Sequence, residues 1–197
     1  IINFFGKPLI AYSITTAKKS NLFSKVFVST DSLKIKKISE EYGAEIPILR
    51  EKKLSDDFSG TNEVVADFIK KMNYENYIIC CIYPTAPLMR RKDLKKGLNL
   101  MSLNNYTFSA NTTNEIKGNT FNIKNNFISK IVKKNKELNK NTLIDSGQFY
   151  WATAKTWIKR KKIVNVGATI IKIPKKYAQD LNDLNDLKIL KKKFKKK

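Results

Sequence analysis

The 197-residue sequence contains no histidine. That excludes His-based general acid–base catalysis, Ser-His-Asp and Cys-His nucleophile pairs, and His-ligated metals. Any chemistry has to rest on Asp, Glu, Lys, Arg, Tyr, Ser, Thr, main-chain donors or an oxygen-bound metal. Cysteine is limited to the neighbours Cys80 and Cys81. Adjacent cysteines make neither an ordinary disulfide staple nor a spaced zinc knuckle. They read as two small buried strand residues in a reducing compartment. No apolar run approaches the roughly 18 residues of a transmembrane helix, and nothing at the start resembles a signal peptide. The expectation is a soluble, cytoplasmic protein. Arginine is also scarce, with only Arg50, Arg90, Arg91 and Arg160.

Lysine, by contrast, is abundant. Lys and Arg together number 39 against 17 Asp and Glu, a formal charge of +22. Such a charge raises the alternative of a basic nucleic-acid-binding domain. Yet nucleic-acid readers draw heavily on Arg for bidentate contacts, and no helix-turn-helix, zinc spacing or RNP-like motif is present. Lys, Asn and Ile share A/T-rich codons and number 35, 20 and 23, so codon drift accounts for the excess. Residues 191–197 carry six of the lysines, and a like-charge run of this kind is expected to be solvated and frayed. Hydrophobic content of 42% supports a real core, and the length suits one domain.

Periodicity predicts helices over 8–19, 32–42, 62–72, 92–104 and 184–194, with a short one ending near Lys161. Strands are predicted over 25–30, 45–49, 77–83, 106–110, 120–123, 127–132 and 168–173. The run Tyr77–Tyr83 is continuously apolar, as in a central strand buried on both faces, and stops at Pro84-Thr85-Ala86-Pro87. Alternating strands and helices imply an α/β domain with a mostly parallel sheet and a ligand at the carboxyl ends of its strands. The stretch 112–145, rich in Asn and Lys, reads as an excursion or arm outside the main sheet.

Several segments, in order, resemble one family. They are Phe5-Gly6-Lys7-Pro8-Leu9-Ile10-Ala11-Tyr12-Ser13-Ile14, Val28-Ser29-Thr30-Asp31, Leu54-Ser55-Asp56-Asp57-Phe58-Ser59-Gly60-Thr61-Asn62 and Tyr83-Pro84-Thr85-Ala86-Pro87-Leu88. Asp145-Ser146-Gly147-Gln148-Phe149-Tyr150-Trp151 and Ala178-Gln179-Asp180 complete the set. It is similar to the acylneuraminate cytidylyltransferases, and most of all to their pseudaminic acid branch.

The resemblance implies transfer of CMP from CTP to the anomeric hydroxyl of a nine-carbon acidic sugar, with pyrophosphate released. Pseudaminic acid is the first expectation, and sialic or legionaminic acid the alternative. It further implies a Rossmann-like, three-layer nucleotidyltransferase fold with a protruding dimerisation arm, a homodimer, and Mg2+ as cofactor. The nucleophile would be a substrate hydroxyl, so catalysis would be positioning and charge neutralisation.

Carried over by residue, Arg50 would meet the cytosine edge. Thr61 would face the base, or cap the helix that follows it. Tyr83 stands where sialate enzymes have Gln. Thr85, Gln148, Phe149 and Tyr150 would lie on the sugar side, although alternation sends Phe149 to the face opposite Gln148 and Tyr150. Asp180 would hold magnesium, with Asn182 in place of a second acid, a change that also raises the idea of a catalytically silent dimer partner. The family opens with a strand and a basic Gly-rich phosphate loop. That block should precede Ile1, so the 197 residues are expected to be a piece of a longer chain, inactive alone.

Overall fold

The computed structural model describes residues 1–116, 118–132, 138–181 and 183–196. A small hairpin, β1 (Asn3–Phe4) and β2 (Lys7–Pro8), leads into α1 (Leu9–Ser20). Pro8 presets the backbone for the first turn, and Asn21 ends the helix in the left-handed region at φ 54°. Leu9, Ala11, Ile14 and Ala17 form its buried stripe. In α2 (Leu33–Glu41), the Ser32 hydroxyl accepts from the Ile35 N–H at 3.3 Å, a side-chain N-cap. In α3 (Thr61–Lys71) the cap is Gly60, whose N–H donates to Glu63 Oε2.

The rest of the chain alternates as β3 (Ile78–Ile82), α4 (Arg91–Asn99), β4 (Thr107–Thr112), β5 (Thr120–Lys124), β6 (Phe127–Ile131), β7 (Thr142–Thr153), α5 (Ala154–Lys159), β8 (Thr169–Lys172) and α6 (Leu184–Lys195). The sheet order is β3-β7-β4-β8-β6-β5, with β5 also pairing to β7. The five strands β4 to β8 therefore close on themselves, and β3 lies beside the carboxyl half of β7. Among the named strands only β4 and β8 run parallel. The expected mostly parallel sheet is thus corrected to a mixed one.

A second correction concerns the arm. The described part of 112–145 returns to the sheet: Phe121 pairs with Leu143 and Phe127 with Thr169. Asn125 and Asn126, both at positive φ, make the tight β5–β6 turn. The cause is apolar burial. Phe121, Ile128 and Leu143 pack into the same core as Tyr106, Phe108 and Trp157. On the opposite face Phe149 and Trp151 join Met89, Leu94 and Ile171. Alternation along β7 feeds both layers.

The first half is built differently. Residues 25–30 and 45–49 form no ladder, only a parallel bridge between Phe27 and Glu45. β3 pairs on one edge alone, and Ile78 is exposed although its run reads as doubly buried. Between these two edges lies a largely apolar cavity of about 1010 Å³. A strand open along one edge keeps unpaired N–H and C=O groups there, and with main-chain bonds only to Glu45 and Arg50 on the other edge the 25–30 segment stays irregular. Cys80 and Cys81, expected to be buried, are only partly so and line the cavity; desolvation pushes the Cys81 thiol up to about 12, which makes it a poor nucleophile. No helix among the described residues is long and apolar enough to cross a membrane.

Candidate active site

The polar groups gather at one end of the cavity. Arg50, Thr61, Tyr83 and Thr85 all line it, as do Thr30 and Asp31. Arg50 is held by three contacts. Its N–H donates to the Thr30 carbonyl at 2.8 Å, its Nε to Ser55 Oγ at 3.0 Å, and its guanidinium lies 3.9 Å from Asp31. Thr61 is the first residue of α3 and not its cap. Its hydroxyl is 2.8 Å from the Tyr83 hydroxyl. Tyr83 extends the β3 ladder by donating its N–H to the Gln148 carbonyl, and its own carbonyl accepts from Ser13 Oγ at 2.9 Å. Burial raises the Tyr83 phenol above its ordinary value, so it stays a neutral donor at physiological pH.

The sugar-side residues divide. Tyr150 is buried, its ring 5.2 Å from that of Tyr83. Gln148 is also buried, and its Nε2 donates to the Tyr177 carbonyl at 2.5 Å. Its Oε1 is buried with no partner among the described residues. Phe149 is completely buried on the other face, where a side chain at Gly97 would strike it, so the structure does not bring it to the site. Asp180 is exposed, beside the backbone of Gly147: a Cβ built on that glycine would stand 3.1 Å from Asp180 Oδ1. Asn182 lies outside the described residues.

Two features escaped the sequence reading. Asp145, quoted only as part of a motif, accepts from the Gly147 N–H and the Tyr150 hydroxyl, each at 3.0 Å. It keeps some exposed surface, yet burial is the largest influence on it and pushes its carboxyl up to about 6. Those hydrogen bonds oppose the shift, and the charge of Asp180 adds to it. A Gly two residues after an Asp is a local turn signal and was the available clue. The second is Lys193. Its ammonium donates to the Ala178 carbonyl and to Gln179 Oε1, and Gln179 Nε2 donates to Asp186. This lysine of the basic run clamps the segment that carries Asp180, and burial lowers its pKa.

An α/β domain with a polar cavity end, hydroxyl donors and an exposed acid, but no histidine, suits transfer of a charged group between bound substrates. A solved structure of a cytidylyl enzyme, 4-diphosphocytidyl-2C-methyl-D-erythritol synthase from Anaerococcus prevotii, shares the fold. Its TM-score is 0.67 over 98% of this chain and 92% of that one, at 10% identity. The chain belongs to the cytidylyltransferase family, whose model matches residues 1–191, and it is an enzyme of the nucleotidyltransferase class. It is 31% identical to the pseudaminic acid cytidylyltransferase of Campylobacter jejuni, over 97% of this chain and 87% of that protein. Over 48% of its length it is 31% identical to the CMP-N,N'-diacetyllegionaminic acid synthase of Legionella pneumophila, of which 42% is covered. Membership displaces the nucleic-acid-binding alternative that the charge raised.

Proposed function

We propose that this enzyme transfers CMP from CTP to the anomeric hydroxyl of pseudaminic acid, releasing pyrophosphate. The observation that carries the sugar assignment is Tyr83. It lines the cavity and its ring lies tilted against that of Tyr150, in a chain similar over nearly its whole length to a pseudaminic acid cytidylyltransferase. In this reading Arg50 reads the cytosine edge and Thr61 holds the base side. Thr85 and the Tyr83–Tyr150 pair face the sugar, while Gln148 braces the turn that bears them. Offering the purified full-length gene product CTP with each of pseudaminic, legionaminic and N-acetylneuraminic acid tests it. Pyrophosphate release should be fastest with pseudaminic acid; turnover of N-acetylneuraminate alone overturns the assignment.

Magnesium belongs to the same proposal. Such an ion takes one or two carboxylates and fills its shell with water and substrate phosphates. Asp180, exposed beside Gly147 with the Asp145 carboxylate close enough to raise the local negative potential, fits that requirement. Asp180 would hold the ion, which would neutralise charge on the leaving pyrophosphate. This chain's own residues bind and orient the two substrates. The resemblance also supports a homodimer, measurable by light scattering, and a cytoplasmic enzyme, since CTP is made there.

The cavity between residues 25–30 and β3 is read as the seat of one further strand, followed by the phosphate-binding loop. Two facing edges without ladders, and a space of about 1010 Å³, support that reading. A strand there would pair with both edges and restore the more parallel, three-layered sheet. The expected result is that the full-length product melts higher than residues 1–197 and turns over CTP, whereas those residues alone do not. Robust pyrophosphate release by residues 1–197 alone refutes this point.

A further inference from the structure

β7 is not a regular strand. Its pairing with β4 runs from Phe108 opposite Tyr150 to Ala110 opposite Asp145, so β4 advances by two residues while β7 advances by five. The residues Ser146 to Phe149 therefore bulge. In an extended strand Asp145 and Tyr150 would lie about 17 Å apart. Here the Tyr150 hydroxyl donates to Asp145 Oδ2 at 3.0 Å. The bulge is held at its base by buried serines: the Ser146 and Ser109 hydroxyls are 2.6 Å apart, and Ser146 Oγ also donates to the Ser109 carbonyl at 2.9 Å. Bulges of this kind re-aim side chains next to functional sites.

The two oxygens of Asp145 serve two walls. Oδ1 accepts from the Gly147 N–H, fixing a residue at φ +61° that only glycine adopts without strain. Gly147 is the floor beneath Asp180, and beneath Tyr83, whose Cδ2 would be 4.0 Å from a Cβ there. Oδ2 fixes Tyr150, whose ring lies against Tyr83 at 53°. Tyr83 in turn shares a hydrogen bond with Thr61 on α3. One carboxylate thus terminates a polar chain that runs through the candidate sugar wall to the base side.

We infer that Asp145 is a positioning residue for this reaction. Through Tyr150 and Gly147 it sets where the Tyr83 ring and Asp180 stand, and so governs sugar binding more than CTP binding. The inference rests on the sugar-transfer reading above. The two oxygens of Asp145 accept from Gly147 and Tyr150, with Asp180 exposed beside Gly147.

The test is steady-state kinetics on the full-length gene product with CTP and pseudaminic acid, beside an unfolding midpoint for each variant. Asp145→Ala should raise KM for the sugar about tenfold and leave KM for CTP within about twofold. Asp145→Asn keeps an oxygen for the Gly147 N–H and sets an NH2 donor against the Tyr150 hydroxyl, which can accept from it, so it should recover most of the loss. Tyr150→Phe removes one donor and leaves the ring, so it should fall between them, and it decides the matter should Asp145→Ala not fold. Equal rises in both KM values, or no rise in a folded variant, would overturn the inference. Wild-type enzyme that turns over no sugar acid would instead fail the functional reading itself.

Discussion

From Thr107 to Lys172 every strand of the ring has partners on both edges, whereas from Ile1 to Ile82 the chain is helices and extended stretches around a cavity. The ring half packs large side chains to zero exposure, Phe108, Phe121 and Tyr106 among them. In the other half Val26 and Val28 only flank a small cluster of Ile14, Ala44 and Ile46. The difference separates two tasks. The tightest packing lies where the ladder closes, and most of the residues proposed to meet the nucleotide line the cavity where it is open. Loops and edges at a rigid scaffold commonly carry function for this reason.

The sharpest way to break the comparison is a matched pair of truncations. Phe121→Ala should cost about 3–5 kcal/mol, while Val28→Ala beside the cavity should cost about 1 kcal/mol or less. Denaturant titration of the two variants measures both, and comparable losses would show that the halves are equally packed. The next effect is set by pH. The Asp145 carboxyl is raised from 3.8 to about 6 by burial, so the folded state binds its proton more tightly than the unfolded chain. Its contribution is fully present below about pH 4 and is lost as pH rises through about 6. Relative to Asp145→Asn, the parent should lose on the order of 1 kcal/mol across that window, after allowance for solvent screening. A flat difference between the two melting curves would contradict it.

Smaller effects should come from the seam between the halves. Tyr83→Phe removes the bond to Thr61 and should cost about 1 kcal/mol in transition-state binding, several-fold in kcat/KM. Lys193→Met keeps the aliphatic stem but removes the donors to Ala178 and Gln179. It should raise the magnesium concentration needed for half-maximal rate a few-fold, about 1 kcal/mol or less, with stability nearly unchanged. A midpoint that does not move would show that the clamp leaves Asp180 undisturbed.

Much of the fold was legible in the sequence because local signals were strong. The five long helices fall within a few residues of their predicted spans, apart from α4, which ends at Asn99 instead of 104. Ser32, Asn21 and Gly43 act at helix ends as such residues do. What could not be read was pairing. The apolar period of Thr120–Ile123 fits an arm or a core strand equally well, and only contact with Leu143 decides between them. Likewise 25–30 has strand composition but pairs only through a single bridge to Glu45, too little to make it a strand. At the site, Arg50, Thr61, Tyr83 and Thr85 came from motif order and do share a cavity. Phe149 was drawn in by its motif neighbours although alternation already pointed it away. Asp145 was hidden because its role depends on a bulge, which no period-two pattern announces.

Near the two ends of the sequence, Phe4 sits in an aromatic cluster. Its ring is 5.0 Å from that of Phe194 and 5.5 Å from that of Tyr12, and the Tyr12 hydroxyl donates to the Phe4 carbonyl at 2.7 Å. Residues 4 and 194 lie 190 positions apart in the sequence and so emerge from the ribosome well separated in time. At about 5–20 residues per second, the first helix waits on the order of 10 s or more for the side chain that covers its base. Until Phe194 arrives, the Phe4–Leu9 surface is open to other partners in the cell, including the molecules that escort nascent chains. The lysine-rich segment around Phe194 keeps that later-arriving ring in a strongly hydrated stretch until it docks, so the cover for Phe4 is supplied by one of the least sticky parts of the chain.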